Sequence, residues 1–229
     1  MSSASTDHPT RRERLRQQTI DEIKQRAFEL VDADGAHELS IASVGKAMGM
    51  SPPALYRYFP SREALLEALV VDAYADLGST VASAAQKGSD QEAPARVALI
   101  AQAWRRWALT HPRRYGMLFS DRSPAAQDPP EGVVAVNQGM LPLLAALREI
   151  APPSSGTGGP FEESLLRWGK AIGAPADIMP RALRLGVLCW SRVHGLVSLE
   201  IAGAFDSMGL DGELLLAAEI ETVVGQAGA

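Results

Sequence analysis

Apolar residues recur at spacings of three, four and seven along most of the chain, and no stretch alternates residue by residue, so the pattern predicts helices without strands. Ile20, Ile23, Ala27, Leu30 and Val31 form the first apolar stripe, which closes near Asp34-Gly35. Ser40 is placed to cap a short second helix with Ile41, Val44, Ala47 and Met48 on one side, and Gly49 supplies the left-handed residue that stops it. Ser51 follows almost at once as the cap of a third helix. Pro52 takes its first position, where the missing N–H has no partner to lose, and Pro60 ends it. Ser61 then caps a long fourth helix through Ala64, Leu65, Ala68 and Leu69 towards residue 86.

A short helix, a glycine turn and a second short helix make a helix-turn-helix layout. The third helix, within SPPALYRYFPSREALL, is too short to hold itself. Leu55 and Phe59 lie four apart and are expected to anchor it on the core. Tyr56 and Arg57 then point away, with Ser51, Pro52 and Pro53 at the exposed tip. A helix presented this way suits a DNA major groove, read from its N-terminal end with phosphates touched from its sides.

Further along, residues 94–109 read as a helix carrying Trp104 and Trp107, and PRRYGMLF as a short one after it. The stretches 120–132 and 151–160 read as loops, with a helix between them that Pro142 should kink. A long helix is expected from about Asp177 to Ala204 and a last one from Asp211 to Val224. Gly186 and Gly195 are unfavourable inside the long helix, so close approach of another helix is expected at both, with a symmetric partner the natural candidate.

With 229 residues, 46% of them hydrophobic, the chain can bury a sizeable core in one small and one larger domain. No apolar run looks long enough for a membrane span, and the charged N-terminus has no apolar segment of the secretory kind. The single cysteine, Cys189, fits a reducing cytoplasm and, within LGVLCW, a buried structural thiol. The net charge of −5 is unevenly spread. Residues 1–62 hold nine Lys/Arg against eight Asp/Glu, while the rest of the chain carries 13 against 19. The run RRERLR at 11–16 puts Arg11 and Arg12 ahead of the first helix, and residues 1–17 read as a basic flexible arm.

The stretch LSIASVGKAMGMSPPALYRYFPSREALLEAL resembles the DNA-binding signature of the TetR family of transcriptional regulators, over about residues 18–70. The resemblance implies an all-α chain. A three-helix helix-turn-helix domain at residues 18–62 would join a helical ligand-binding and dimerisation domain at 63–229. It places Tyr56 and Tyr58 where the family contacts phosphate, and Arg62 where a lysine commonly does so. The DNA-facing set is then Arg11, Arg12, Ser40, Ser51, Pro53, Tyr56, Arg57, Tyr58 and Arg62. Trp190, His194 and Gly195 also give a W-x-x-x-H-G pattern similar to a C-terminal subtype of such regulators.

Catalytic, metal and cofactor chemistry finds no purchase. The four histidines have no metal-ligand spacing with one another or with Cys189, and SSGTGG lacks the preceding strand of a phosphate loop. Expected partners are a palindromic double-stranded operator, a second copy of the chain and a small, largely apolar effector. No membrane partner is expected. Helices 177–204 and 211–224 are expected to form the two-fold interface. Trp104, Trp107, Phe119, Met140, Trp190 and His194 are the candidate ligand-binding residues, with Asn137, Arg105 or Arg106 as polar partners. Two rival readings are an all-helical enzyme without a recognisable motif and a constitutive architectural DNA-binding protein. Turnover without DNA binding would favour the first, and sequence-independent binding without an effector response the second.

Overall fold

The computed structural model describes residues 10–120, 129–151 and 158–228, and all regular structure in them is helical. The order is α1 (Arg11–Asp34), α2 (Ile41–Met48), α3 (Pro52–Tyr56), α4 (Arg62–Lys87), α5 (Ala93–Thr110) and α6 (Pro112–Phe119). It continues with α7 (Pro130–Ile150), α8 (Pro160–Ala171), α9 (Pro180–Ile201), α10 (Ala204–Met208) and α11 (Gly212–Gly228). Local chemistry explains many of the boundaries. Proline stands at the first position of α3, α6, α7, α8 and α9, where its fixed φ favours the helix.

α1 to α3 form a small head around Ile23, Ala27, Phe28, Val31, Val44 and Leu55, all buried. α4 leaves the head and runs into the body, and one continuous apolar core spans both. Within the body α4 crosses α7 so closely that a Cβ on Gly78 would stand 2.6 Å from the Ala135 carbonyl oxygen. A smaller core of Leu144, Leu165, Ile178, Ala182 and Leu183 seats α8 against α7 and α9.

Several expectations shift. Arg11 to Gln17, read as part of a flexible arm, are the first turns of α1, because Thr10 and Glu13 make a reciprocal capping box. Residues 1–9 of that arm lie outside the described residues. α8 was not anticipated, and the long helix of 177–204 is α9 and α10, separated at Gly203 by a left-handed turn. α7 is assigned as one helix through Pro142. By length and composition α7 alone among the described helices could cross a membrane, which corrects the expectation that no such stretch exists. Here it is a packed helix of the body, lying against α4, α5, α9 and α11.

Gly186 and Gly195 have different reasons. A Cβ on Gly186 would meet the Leu144 side chain at 2.5 Å, so its close neighbour is α7 of the same chain. Gly195 faces open space.

Candidate DNA-binding face and ligand cavity

Ser40 caps α2 by accepting the Ser43 N–H at 3.0 Å, and Gly49 closes the helix at φ 65°. Ser51 occupies the cap position of α3 without a side-chain hydrogen bond, so its hydroxyl remains at the exposed tip with Pro52 and Pro53. Leu55 is fully buried and Phe59 nearly so, which fixes the direction of α3. Tyr56 is 51% exposed, and Arg57 is exposed beside it. Beside the end of α3, the first turns of α1 complete a groove holding Arg11, Arg12, Arg16, Arg57 and Tyr58. Arg16 lies over the Tyr58 ring at 5.8 Å. Cations in the first turn of a helix oppose its macrodipole, so Arg11 and Arg12 do nothing for α1 itself.

Two members of the set are engaged inside the fold. The Ser40 hydroxyl serves the α2 cap. Arg62 was expected at a phosphate, yet its Nε donates to the Leu39 carbonyl at 2.6 Å and its Nη2 to the Ala36 carbonyl at 2.8 Å. Those carbonyls belong to the turn between α1 and α2, where no helix supplies donors, so a guanidinium fork from α4 answers them. Arg62 therefore braces the head.

Among the described residues, head and body also meet through the ionic contacts of Lys24 and Arg114. Lys24 of α1 pairs with Asp72 of α4 at 2.6 Å. Arg114 of α6 grips Asp32 of α1 with Nε at 3.0 Å from Oδ1 and Nη2 at 2.5 Å from Oδ2. Its guanidinium also lies 4.3 Å from the centre of the Phe28 ring. Paired, stacked and largely shielded, this contact is stiffer than an ordinary surface ion pair.

α6 also reaches the other site. Leu118 and Phe119 form part of the wall of a cavity of about 620 Å³ bordered by α4, α5, α7, α8 and α9 and open on one side. Of the candidate ligand-binding residues, Trp104, Phe119, Met140 and Trp190 line it, together with Asn137, Phe161 and Trp168. Trp107 does not. Its indole N–H donates to Asp76 at 2.8 Å, and its ring borders an outer groove with Lys87 and Arg106. Trp107 is three residues from Trp104, about 60° further round α5, and that offset turns its indole onto Asp76 of α4 instead of into the cavity.

His194 stands behind the wall. It stacks on Trp190 with the planes 8° apart and touches Phe119 edge-on. Its Nδ1 shares a 2.7 Å hydrogen bond with the Tyr115 hydroxyl, to which the Trp104 indole also donates at 3.4 Å. Burial lowers the His194 pKa and pushes the Tyr115 hydroxyl up to about 12. Burial likewise pushes the Cys189 thiol up to about 12, in keeping with an inert structural cysteine. Arg105, weighed as a ligand contact, instead holds Glu200 in a two-bond fork at 2.8 and 2.6 Å. Tyr74 and Ser164 also line the cavity and were missed as site residues, and no spacing rule marks them, because they reach the site through packing between distant helices.

Comparison with known proteins follows the same division. Residues 23–69 match the family model described as bacterial regulatory proteins, tetR family. Residues 97–223 match the tetracyclin repressor-like C-terminal domain. The HTH-type transcriptional regulator Rv1816 of Mycobacterium tuberculosis is 30% identical over 181 residues, which cover 75% of each chain. The crystal structure of a regulatory protein, SCO4313, superposes with a TM-score of 0.77 at 36% identity, covering 94% of this chain and 100% of that one. A tetR-family transcriptional regulator from Streptomyces coelicolor shares the fold, with a TM-score of 0.63 at 18% identity over 90% of this chain and 79% of that one.

Proposed function

Since the chain belongs to the tetR family of bacterial regulatory proteins and is a DNA-binding transcriptional regulator, we propose that it is a ligand-responsive repressor. In this reading two copies grip a near-palindromic operator in the cytoplasm, and a small, largely apolar effector releases them. One observation carries the ligand response: α6 supplies Phe119 to the cavity wall and, five residues earlier, Arg114 to the clasp on α1. A ligand that shifts α6 therefore acts on the head through a side chain already bonded to it. Effector and operator favour different placements of the two heads, and each weakens the other by the same coupling free energy.

Dimerisation through α9 and α11 is supported by their outward faces. α9 exposes Ser191, Gly195 and Leu199, and α11 exposes Leu214, Ala217, Ala218 and Gly225. Leu214 is 70% exposed, an unfavourable state for leucine on a lone chain, and the open space at Gly195 admits a close helix. Inside the same helix Leu216, Ile220 and Val223 face the chain's own core. The match of Trp190, His194 and Gly195 to the W-x-x-x-H-G subtype belongs to this proposal too, with Trp190 and His194 in contact and Gly195 outward.

The DNA half is tested by fluorescence anisotropy on the promoter DNA beside the protein's own gene, with half-sites about 34–36 Å apart. Tyr56→Ala and Arg11→Ala should weaken binding to all duplexes alike, and Arg11→Ala should also flatten the salt dependence. Arg57→Ala should in addition relax sequence preference. Folded variants that bind like the parent would refute this docking.

A further inference from the structure

The cavity is walled by the rings of Tyr74, Trp104, Phe119, Phe161, Trp168 and Trp190, and among the described residues no charged side chain lines it. We propose that its ligand is an uncharged aromatic molecule anchored by one polar group at Asn137, and that the carboxylate or ammonium form of the same skeleton is rejected. This rests on the reading of the cavity as the effector site and adds the charge class of the effector.

The surrounding helices are not short of charge; they turn it outward and pair it. Arg96 of α5 meets Glu149, Arg105 meets Glu200, Arg114 of α6 meets Asp32, and Arg192 of α9 meets Glu219. None of those guanidiniums borders the cavity. A carboxylate entering it would leave water without a cation to replace its hydration, and an ammonium would find no carboxylate. The titratable groups at or behind the wall are also uncharged near neutral pH. The Cys189 thiol and Tyr115 hydroxyl are each pushed up to about 12 by burial, and burial keeps His194 neutral.

The polar atoms of the wall narrow the choice further. The Tyr74 hydroxyl donates to the Leu118 carbonyl, the Trp104 indole to Tyr115, and the Ser164 hydroxyl to the Pro160 carbonyl. The Asn137 amide lines the cavity with no protein hydrogen bond among the described residues. An amide both donates and accepts, so it suits a neutral carbonyl, amide or hydroxyl group. Six rings around it favour a flat partner that can stack.

Isothermal titration calorimetry of the full chain with three naphthalenes of one skeleton tests this. The probes are naphthalene-2-carboxamide, naphthalene-2-carboxylate and 2-naphthylmethylamine, at about pH 7.5, where the last two are charged. The carboxamide should bind at least ~10-fold more tightly than either ion. Asn137→Leu should weaken the carboxamide about 5- to 10-fold and leave unsubstituted naphthalene unchanged. Val136→Trp, which fills the cavity from a partly exposed position, should abolish binding of both. Carboxylate binding as tight as carboxamide, blocked by Val136→Trp, would overturn the charge class and leave the effector site standing. Carboxamide binding that ignores Asn137→Leu would overturn the anchor. If no naphthalene binds, this proposal and the effector-site reading fall together.

Discussion

In the head, Gly49 sits at φ 65° with nothing within 4 Å of the side chain it lacks. In the body, Gly78 has ordinary helical geometry, yet a Cβ there would stand 2.6 Å from the Ala135 carbonyl oxygen. One glycine is required by its own backbone, the other by a helix far along the chain. The contrast extends to the two regions. The head is built from caps, prolines and a left-handed stop, each acting within a few residues. The body is built from crossings between α4, α7 and α9, and its site residues are chosen by neighbours distant in sequence.

The comparison breaks most visibly at Leu55. Local signals start and stop α3, but a helix this short depends on its anchor. Leu55→Ala should cost ~2–5 kcal/mol in urea unfolding and abolish operator binding. A variant that keeps both would mean that the caps alone hold α3. Next in size, Gly78→Ala should cost ~1–3 kcal/mol, because backbone rather than a flexible side chain stands in the way. Gly49→Ala should cost ~1–2 kcal/mol through its left-handed conformation. A compensating Ala135 substitution would help neither variant, since Gly78 meets a carbonyl and Gly49 meets nothing. If Gly78→Ala melts with the parent, α4 and α7 are free to separate and the body is less tightly specified than described.

The smallest expected effect tests the layer behind the cavity. His194 has its pKa lowered by burial from the ordinary 6.5. At pH well above 6.5 both folded and unfolded chains hold it neutral; as pH falls through that value the unfolded chain takes the proton first. Stability should therefore fall modestly between about pH 7.5 and 5.5, until the folded imidazole titrates as well. His194→Gln keeps a partner for Tyr115 and should flatten that slope in thermal melts. An unchanged slope would place the titration elsewhere.

How much of this was legible in the sequence follows the same line between local and distant causes. Ser40, Pro52 and Ser61 announce the starts of α2, α3 and α4 and Gly49 the end of α2, all where the structure has them, but α3 stops at Tyr56, short of the Pro60 expected to end it. The apolar stripe of α1 was legible, but its start was not: the Thr10–Glu13 box was hidden beneath a run of arginines. Arg62 has the right charge in the right place for a phosphate, and only the position of the carbonyls at 36 and 39 reveals its internal role. Trp104 and Trp107 look alike in sequence. Whether each meets the cavity depends on where α4, α7 and α9 lie around α5. α8 was missed because it is a short helix directly behind the glycine- and proline-rich stretch 151–160, which reads as a loop and masks its start.

The central claim is that cavity and operator are thermodynamically linked through α6. The direct measurement is operator affinity by anisotropy at fixed salt, with and without saturating naphthalene-2-carboxamide. Binding should weaken about 5- to 150-fold when the cavity is filled, and the difference should shrink in Arg114→Ala, which lacks the clasp on Asp32. Equal operator affinity with the cavity full and empty would contradict the linkage.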